Sequence, residues 1–506
     1  MKKIGILTLA LVLVLAVLTL SFTAVASAQN QGKSDGLNPA AVFDELWRQS
    51  GSNMAQIRLL TDNVESWYAR WYVVSNAKKT LDITYFIVDK DAFGMSFLGL
   101  LLKKAREGVK IRLMVDARGV KDLSHKFMGQ DYLQELVEMP NFEIHIYNPI
   151  SQELLNLFAD VRNVLASNHE KIIIADGEWV ITGGRNIATD YFADARDISG
   201  VYRDTDLIMK GAAIAKQMKF AFDDEFNSHN TADVKKDMFN FSSKAKTLEL
   251  ARRAMESWIN GMGLLDASAI GGDKNLDKFN EELAKYEHMK SYSSYKPFQG
   301  DREFPFFVLS KNSIRGRRND ITPGISAFMT NCEKEMLIQN PYVVLTEEAK
   351  NALKAADARG VKINIHTNSP ASTDSGITQA FFTFEWLKIM QNYPNCRIFG
   401  FNGGRKHLHS KCFVFDRAVT VVGTYNMDPI SQQINAENVI VIKSPEFSLR
   451  TQLRILEDEK ESTEYKIERM KDGSVRPLVG PKEQATPEQL KKFERLHKLG
   501  FLRPII

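Results

Sequence analysis

Two short stretches of this chain carry the residue types that phosphate chemistry needs, and they match each other. Asn168-His169-Glu170-Lys171 runs through Ile-Ile-Ile-Ala to Asp176, and Leu408-His409-Ser410-Lys411 runs through Cys-Phe-Val-Phe to Asp416. Each then reaches a Gly-x-x-Asn turn, Gly183 to Asn186 and Gly423 to Asn426. The offset is constant at 240 (169 to 409, 186 to 426). A chain of this length can hold one such pattern by chance, but two with identical internal spacing mark a duplication.

Read as a strand, His169 and Lys171 point to one face, with Ile173 and Ala175 continuing it and Ile172 and Ile174 packing the other. A lysine beside a histidine suits one phosphate: the ammonium is a compact positive charge, and the imidazole is a nucleophile or acid near neutrality. Asn186 can add an amide donor. His409, Lys411 and Asn426 repeat the set. Thr424 adds a hydroxyl for substrate where the first copy has Gly184. Two sets facing each other across a pseudo-twofold would surround one phosphodiester. One imidazole would attack phosphorus and form a phosphohistidine. The other would protonate the leaving alcohol oxygen, then deprotonate the incoming water or alcohol. The lysines and asparagines would offset charge on the equatorial oxygens, a scheme that calls for no metal and no cofactor.

A solitary strand histidine is more often a satisfied structural residue, and a solitary lysine is usually solvated; the duplicated spacing weighs against both. Asp176 and Asp416 each end an apolar run before a turn, which suits structural caps. Each histidine also needs an acceptor for its other ring nitrogen. Glu437 is the candidate within the second half; Asp204 or Asp206, with Asp204 preferred, is the counterpart in the first.

The elements that must position these residues repeat as well. Helical spacing over 64–76, a β-branched run over 80–88, a helix over 95–106 and a strand over 109–115 predict a βαβ unit. The same order returns at 335–344, 347–359 and 360–366, where Gly360-Val-Lys-Ile matches Gly108-Val-Lys-Ile. Each half continues through another helix and strand, 131–137 with 142–147 and 381–392 with 396–401. The expected fold is α/β: two similar lobes, each a mixed sheet flanked by helices, sharing one site. The first lobe covers 29–230 and the second 304–455. Residues 29 to about 50 read as a polar leader. Segment 231–303 reads as a helical linker or an insertion over one end of the site, with amphipathic helices at 244–261 and 276–288. Residues 456–506 form a charged tail expected to pack back on the protein.

At 506 residues the chain has room for roughly three domain-sized units. Its formal net charge of +4 includes Lys2 and Lys3, a small basic bias that argues against a specific nucleic-acid partner. Cys332, Cys396 and Cys412 form no disulfide framework and no zinc-ligand spacing. Lys2-Lys3, the apolar run Ile4 to Thr23 and Ala26-Ser27-Ala28 read as a signal peptide over 1–28. The run is also long enough for an uncleaved membrane anchor. Either reading exports the rest of the chain, to the periplasm or outside the cell.

The two motifs resemble the phospholipase D superfamily, whose signature is His-x-Lys-x4-Asp followed by Gly-Ser/Gly-x-Asn. Within it the chain is most similar to bacterial cardiolipin synthases, through Asn168-His169-Glu-Lys171, Gly183-Gly-Arg-Asn186 with Asp190-Tyr191-Phe192, Tyr202-Arg-Asp-Thr205, Thr367-Asn-Ser-Pro-Ala-Ser-Thr-Asp374 and Gly423-Thr-Tyr-Asn426-Met-Asp428. The resemblance spans about residues 55–455. It implies one shared site, His169 as nucleophile, His409 as general acid/base and a phospholipid substrate at a membrane surface. The residues alone leave the order of the two histidines open, and oligomeric state is open too. Gly184 and Thr424 stand where relatives usually carry Ser, and Ile430 where they usually carry Arg. The expected activity is phosphatidyl transfer to an alcohol, as in cardiolipin synthesis, or hydrolysis to phosphatidic acid. An exported nuclease of the same superfamily and a non-catalytic envelope protein are the competing readings.

Overall fold

In the computed structural model of the chain, the described residues are 38–123, 132–149, 165–235, 244–266, 268, 273–314 and 316–505. The expected signal segment 1–28 lies outside them. The β-branched and aromatic runs form strands. In the first half these are β1 (Met54–Leu60), β2 (Thr80–Ile87), β3 (Lys110–Gly119), β4 (Phe142–Tyr147), β5 (Ile172–Ala175), β6 (Trp179–Gly183), β7 (Val201–Arg203), β8 (Asp206–Lys210) and β9 (Thr231–Asp233). In the second they are β10 (Glu303–Lys311), β11 (Glu335–Gln339), β12 (Lys362–Asn368), β13 (Cys396–Phe401), β14 (Lys406–Leu408), β15 (Cys412–Phe415), β16 (Val419–Gly423), β17 (Glu437–Lys443) and β18 (Ser462–Glu464).

Sixteen of these strands form one mixed sheet, and the order is the same outward from its centre in both directions. One side runs β1-β8-β6-β5-β2-β3-β4-β9 and the other β10-β17-β16-β15-β11-β12-β13-β18. The halves join through β1 and β10, antiparallel, with Ala55 opposite Phe304. Only β2-β3-β4 and β11-β12-β13 are parallel within the sheet. Parallel neighbours need a crossover, supplied between the first two strands of each set by helices Ala92–Arg106 and Glu347–Asp357.

The alternation expected along the first motif sorts its side chains as the period of two requires. Ile173 and Ala175 enter the core under the first half's helices. Ile172 and Ile174 enter a core on the other face that also holds Cys412 and Val414 of the second half. That second core is shared by the two halves and locks them together.

At the periphery one expectation changes and two take definite form. Residues 39–49 are a helix rather than a loose leader: its Val42 and Phe43 are buried, and the Phe43 ring lies 5.1 Å from that of Phe307 on β10. Pro39 is buried beside them, but an element of this length is too short for apolar spacing alone to identify. Among its described residues, the insertion packs into the first half's core. Its helices Ala245–Ile259 and Lys274–Leu283 join the first half's core through Leu248, Met255, Trp258 and Leu276. The close approach depends on Gly99, where a Cβ would stand 2.1 Å from the Leu248 carbonyl oxygen. Glu282 completes the packing by accepting from the Ala92 amide at 3.1 Å. The C-terminal segment does fold back: 462–464 is the edge strand β18, and Arg503 pairs with Glu385 at 2.7 Å. No helix among the described residues is long and apolar enough to cross a membrane.

Candidate active site

The two histidines stand just before β5 and β15, in extended chain rather than within the strands. Each approach is bound to the opposite half. Asn168 pairs in parallel with Ala436, and β14 pairs in parallel with β7, Leu408 opposite Arg203. The registers are equivalent. His169 N donates to the Ala436 carbonyl at 3.0 Å, and His409 N donates to the Arg203 carbonyl at 2.9 Å. One residue further along the partner chain comes a carboxylate. Glu437 accepts from His169 Nδ1 at 3.0 and 3.1 Å, and Asp204 from His409 Nδ1 at 2.6 Å.

Glu437 and Asp204 are thus the acceptors, but exchanged: each serves the histidine of the other half, not its own. With Nδ1 carrying the proton toward a carboxylate, Nε2 of each ring keeps its lone pair for the site. Asp206 does not compete for this role. It is buried and held by Arg70 at 2.9 Å and Arg185 at 3.1 Å.

Thr424 was expected at the substrate; instead its hydroxyl donates to Glu437, joined by Ser431 Oγ at 2.7 Å. The hydroxyl orients the carboxylate that orients His169. Gly184 likewise makes room for a carboxylate and not for substrate, since a Cβ there would lie 2.1 Å from Asp204 Oδ1. The different residues at this position match the different carboxylates. Glu437 accepts a hydroxyl from Thr424, whereas Asp204 stands too close to residue 184 for any side chain.

Lys171 Nζ donates to the His169 carbonyl at 2.7 Å, and Lys411 Nζ makes the equivalent bond to His409. Asn186 is fixed by the Ile87 amide, which donates to its Oδ1 at 3.1 Å, and by the Tyr191 hydroxyl, to which its Nδ2 donates at 2.9 Å. Asn426 is buried, and its Oδ1 has no hydrogen-bond partner among the described residues. The two aspartates stay out of this cluster. Asp176, at φ 53°, accepts from the amides of Lys78, Lys79 and Thr80 at 2.6–2.9 Å. Asp416, at φ 50°, accepts from those of Glu333, Lys334 and Glu335 at 2.7–2.9 Å. Each caps the chain entering β2 or β11.

Burial of positive charge dominates the electrostatics. Burial and the neighbouring Lys171 push the His169 imidazole down to about 4, against the pull of Glu437. Burial and Lys411 likewise push Lys171 down to about 7. His409 is lowered by burial and Lys411, and Lys411 by burial. Burial pushes the carboxyl of Glu437 up, but His169, Lys171 and Thr424 outweigh it and hold it below its ordinary value. Asp204 is held down in the same way by His409 and Lys411. Lys411 acts on His169, and Asp204 acts on Lys171, so the two sets form a single electrostatic unit. Buried cations that depress one another suit an anion, because a phosphodiester would reverse each of these shifts.

Sequence reasoning missed two kinds of residue. Asp116 accepts from the Asn168 amide at 3.0 Å, and Asn368 bonds both backbone groups of Leu408 at 2.7 and 3.1 Å. Their equivalent place in the matching strands β3 and β12, six residues after Lys110 and Lys362, was the available signal. Of the aromatic walls, Tyr191 and Tyr202 lie in stretches that carry the family resemblance, while Phe86 and Tyr342 gave no signal. The Phe86 ring lies 5.5 Å from the His169 ring, and those of Tyr202, Tyr191 and Tyr342 lie 5.0, 5.6 and 6.3 Å from His409.

A duplicated His-Lys-Asn set on one mixed sheet, each imidazole held by the other half's carboxylate, defines a phosphodiester-acting protein of the phospholipase D type. The chain belongs to the family described as "Cardiolipin synthase, PLD-like domain", whose model matches residues 73–225 and 325–456. It is 25% identical to an uncharacterised protein of Helicobacter pylori J99, covering 80% of this chain and 79% of that one. It is 24% identical to cardiolipin synthase 1 of Bacillus anthracis (83% and 70% covered) and 25% identical to cardiolipin synthase C of Escherichia coli K12 (76% and 80% covered). Among solved structures, phosphatidylserine synthase of Haemophilus influenzae has the same fold, with a TM-score of 0.59, 14% identity and coverage of 91% and 99%. At family level the chain is a phospholipase D-like phosphodiester transferase.

Proposed function

We propose that the protein transfers the phosphatidyl group of a glycerophospholipid through a phosphohistidine on His169. The observation that carries this reading is the reciprocal pairing of His169 with Glu437 and His409 with Asp204, which presents two Nε2 atoms to one cationic site. His169 Nε2 attacks phosphorus as a neutral imidazole, which its lowered pKa favours. His409 protonates the departing head-group oxygen, then takes the proton of the incoming alcohol or water. Lys171, Lys411, Asn186 and Asn426 meet the charge on the non-bridging oxygens. Transfer to the hydroxyl of a second phosphatidylglycerol gives cardiolipin, and transfer to water gives phosphatidic acid. The likeness to cardiolipin synthases favours the lipid acceptor. The N-terminal pattern favours an exported enzyme working at a membrane surface.

Incubation with mixed phosphatidylglycerol and phosphatidylethanolamine vesicles, followed by lipid mass spectrometry, tests this reading. Cardiolipin with release of glycerol is the expected product. Unchanged lipids with folded protein would refute the lipid substrate, and salt-dependent DNA cleavage by the same preparation would replace it with a nuclease.

A further inference from the structure

The stretch Thr367–Asp374 takes no part in the chemistry above, yet the loop after β12 is tightly built. Ser369 Oγ donates to the Phe401 carbonyl at 2.5 Å, and Ser372 Oγ to Asn368 Oδ1 at 2.8 Å. Gly403, at φ +80°, lets the loop come close: a Cβ there would stand 2.6 Å from the Ala371 carbonyl oxygen. His407 Nδ1 lies 2.7 Å from the Ser372 carbonyl oxygen, two residues before His409. These bonds fix the loop against the second motif and deliver one exposed carboxylate, Asp374.

Asp374 accepts from the Tyr342 hydroxyl at 2.7 and 2.8 Å and from the Tyr202 hydroxyl at 3.2 Å. The same two tyrosine rings wall His409 at 6.3 and 5.0 Å. Among the described residues its hydrogen bonds come from these hydroxyls and not from a cation. Two carboxylate oxygens offer about four acceptor directions, so an exposed Asp374 keeps capacity for a further donor. The opposite wall, at His169, is Phe86, which has no polar atom.

We infer that Asp374, with Tyr202 and Tyr342, forms the subsite for the alcohol that leaves or enters beside His409, and that this alcohol is a neutral polyol whose distal hydroxyl donates to Asp374. The inference rests on the reading of His409 as the acid that serves the alcohol oxygen. The departing head group and the incoming acceptor then occupy the same place by microscopic reversibility. The carboxylate accepts from a hydroxyl and repels an acidic group, while Lys411 beside it disfavours a second cation.

The test is a competition among small acceptors. Phosphatidylglycerol vesicles are incubated with the full-length protein and equal concentrations of ethanol, ethylene glycol, glycolate and ethanolamine, and the phosphatidyl products are counted by mass spectrometry. The wild type should favour ethylene glycol over ethanol by about fivefold, the scale of one hydrogen bond to a charged, partly hydrated group. Glycolate should fall below ethanol, and ethanolamine below ethylene glycol. In Asp374→Asn and in Tyr342→Phe the glycol preference should shrink toward unity, and in Asp374→Asn the glycolate product should rise. Ratios within one preparation cancel any change in total rate or folded fraction. An unchanged ratio in Asp374→Asn overturns the subsite, and ethanolamine leading in the wild type overturns its polyol preference. Phosphatidic acid without any alcohol product overturns the subsite while leaving the phosphohistidine reading intact. No turnover at all defeats the reading and the subsite together.

Discussion

His169 and Glu437 are 268 positions apart in sequence and work as one unit, as do His409 and Asp204. This pairing has a consequence for pH dependence. The kcat/KM profile reports groups of the free enzyme. His169 must be neutral to attack, so the ascending limb is expected near its value of about 4. His409 must be protonated to serve the leaving oxygen, so the descending limb is expected below the ordinary imidazole value. Glu437 raises the pKa of His169, so Glu437→Gln lowers it and moves the ascending limb to lower pH. Asp204→Asn moves the descending limb to lower pH by the same logic. Both variants should also lose rate by as much as ~10⁴-fold, the scale seen when a histidine loses its orienting carboxylate. Pairing within each half would interchange the two limb shifts. The motif residues were legible because they lie at a repeated offset, and Asp204 from its place ahead of the strand that follows the first motif, as Glu437 stands at the head of the strand that follows the second. The exchange was not, because it depends on parallel bridges between residues such as Asn168 and Ala436, which no local pattern encodes.

At the scale of elements, the aspartates that end the motifs act on strands far away in sequence. Asp176 gathers three amides at the entry of β2, and Asp416 does so at β11. Asp176→Ala would leave these partly exposed donors to water and should destabilise the fold by about 1–3 kcal/mol, the range for removing a multiply bonded polar group. Urea denaturation measures this. The variant is expected to lose stability at unchanged m-value and to keep its activity per folded molecule. A loss of rate without loss of stability would move Asp176 into the chemistry. The βαβ units could be read from hydrophobic period and from Gly108 and Gly360, since buried parallel strands demand long apolar runs. The helix over 39–49 escaped because it is a single short element whose attachment, through buried Pro39, Val42 and Phe43 and the Asp44–Lys443 pair, is to residues far away in sequence. The insertion's position escaped because amphipathic spacing says that a helix packs, not upon what.

For the whole molecule, the repeated strand order explains why one chain carries both half-sites. The β1–β10 seam and the shared core around Ile172, Ile174, Cys412 and Val414 hold the halves in a fixed relation, and the cross-half bridges place the histidines. The duplication made this symmetry legible in the sequence, but not its asymmetries. Thr424 against Gly184 and Glu437 against Asp204 distinguish the two imidazoles, as do Phe86 on one wall and three tyrosines on the other. The proposed mechanism assigns attack to His169. It is tested most directly by incubating the His409→Ala variant with phosphatidylglycerol vesicles, quenching under conditions that preserve phosphohistidine, and mapping the modified peptide by mass spectrometry. Without its acid/base partner the intermediate should accumulate, and the phosphatidyl adduct is expected on His169. An adduct on His409 in the converse His169→Ala variant, with His169 unmodified in His409→Ala, would contradict the account.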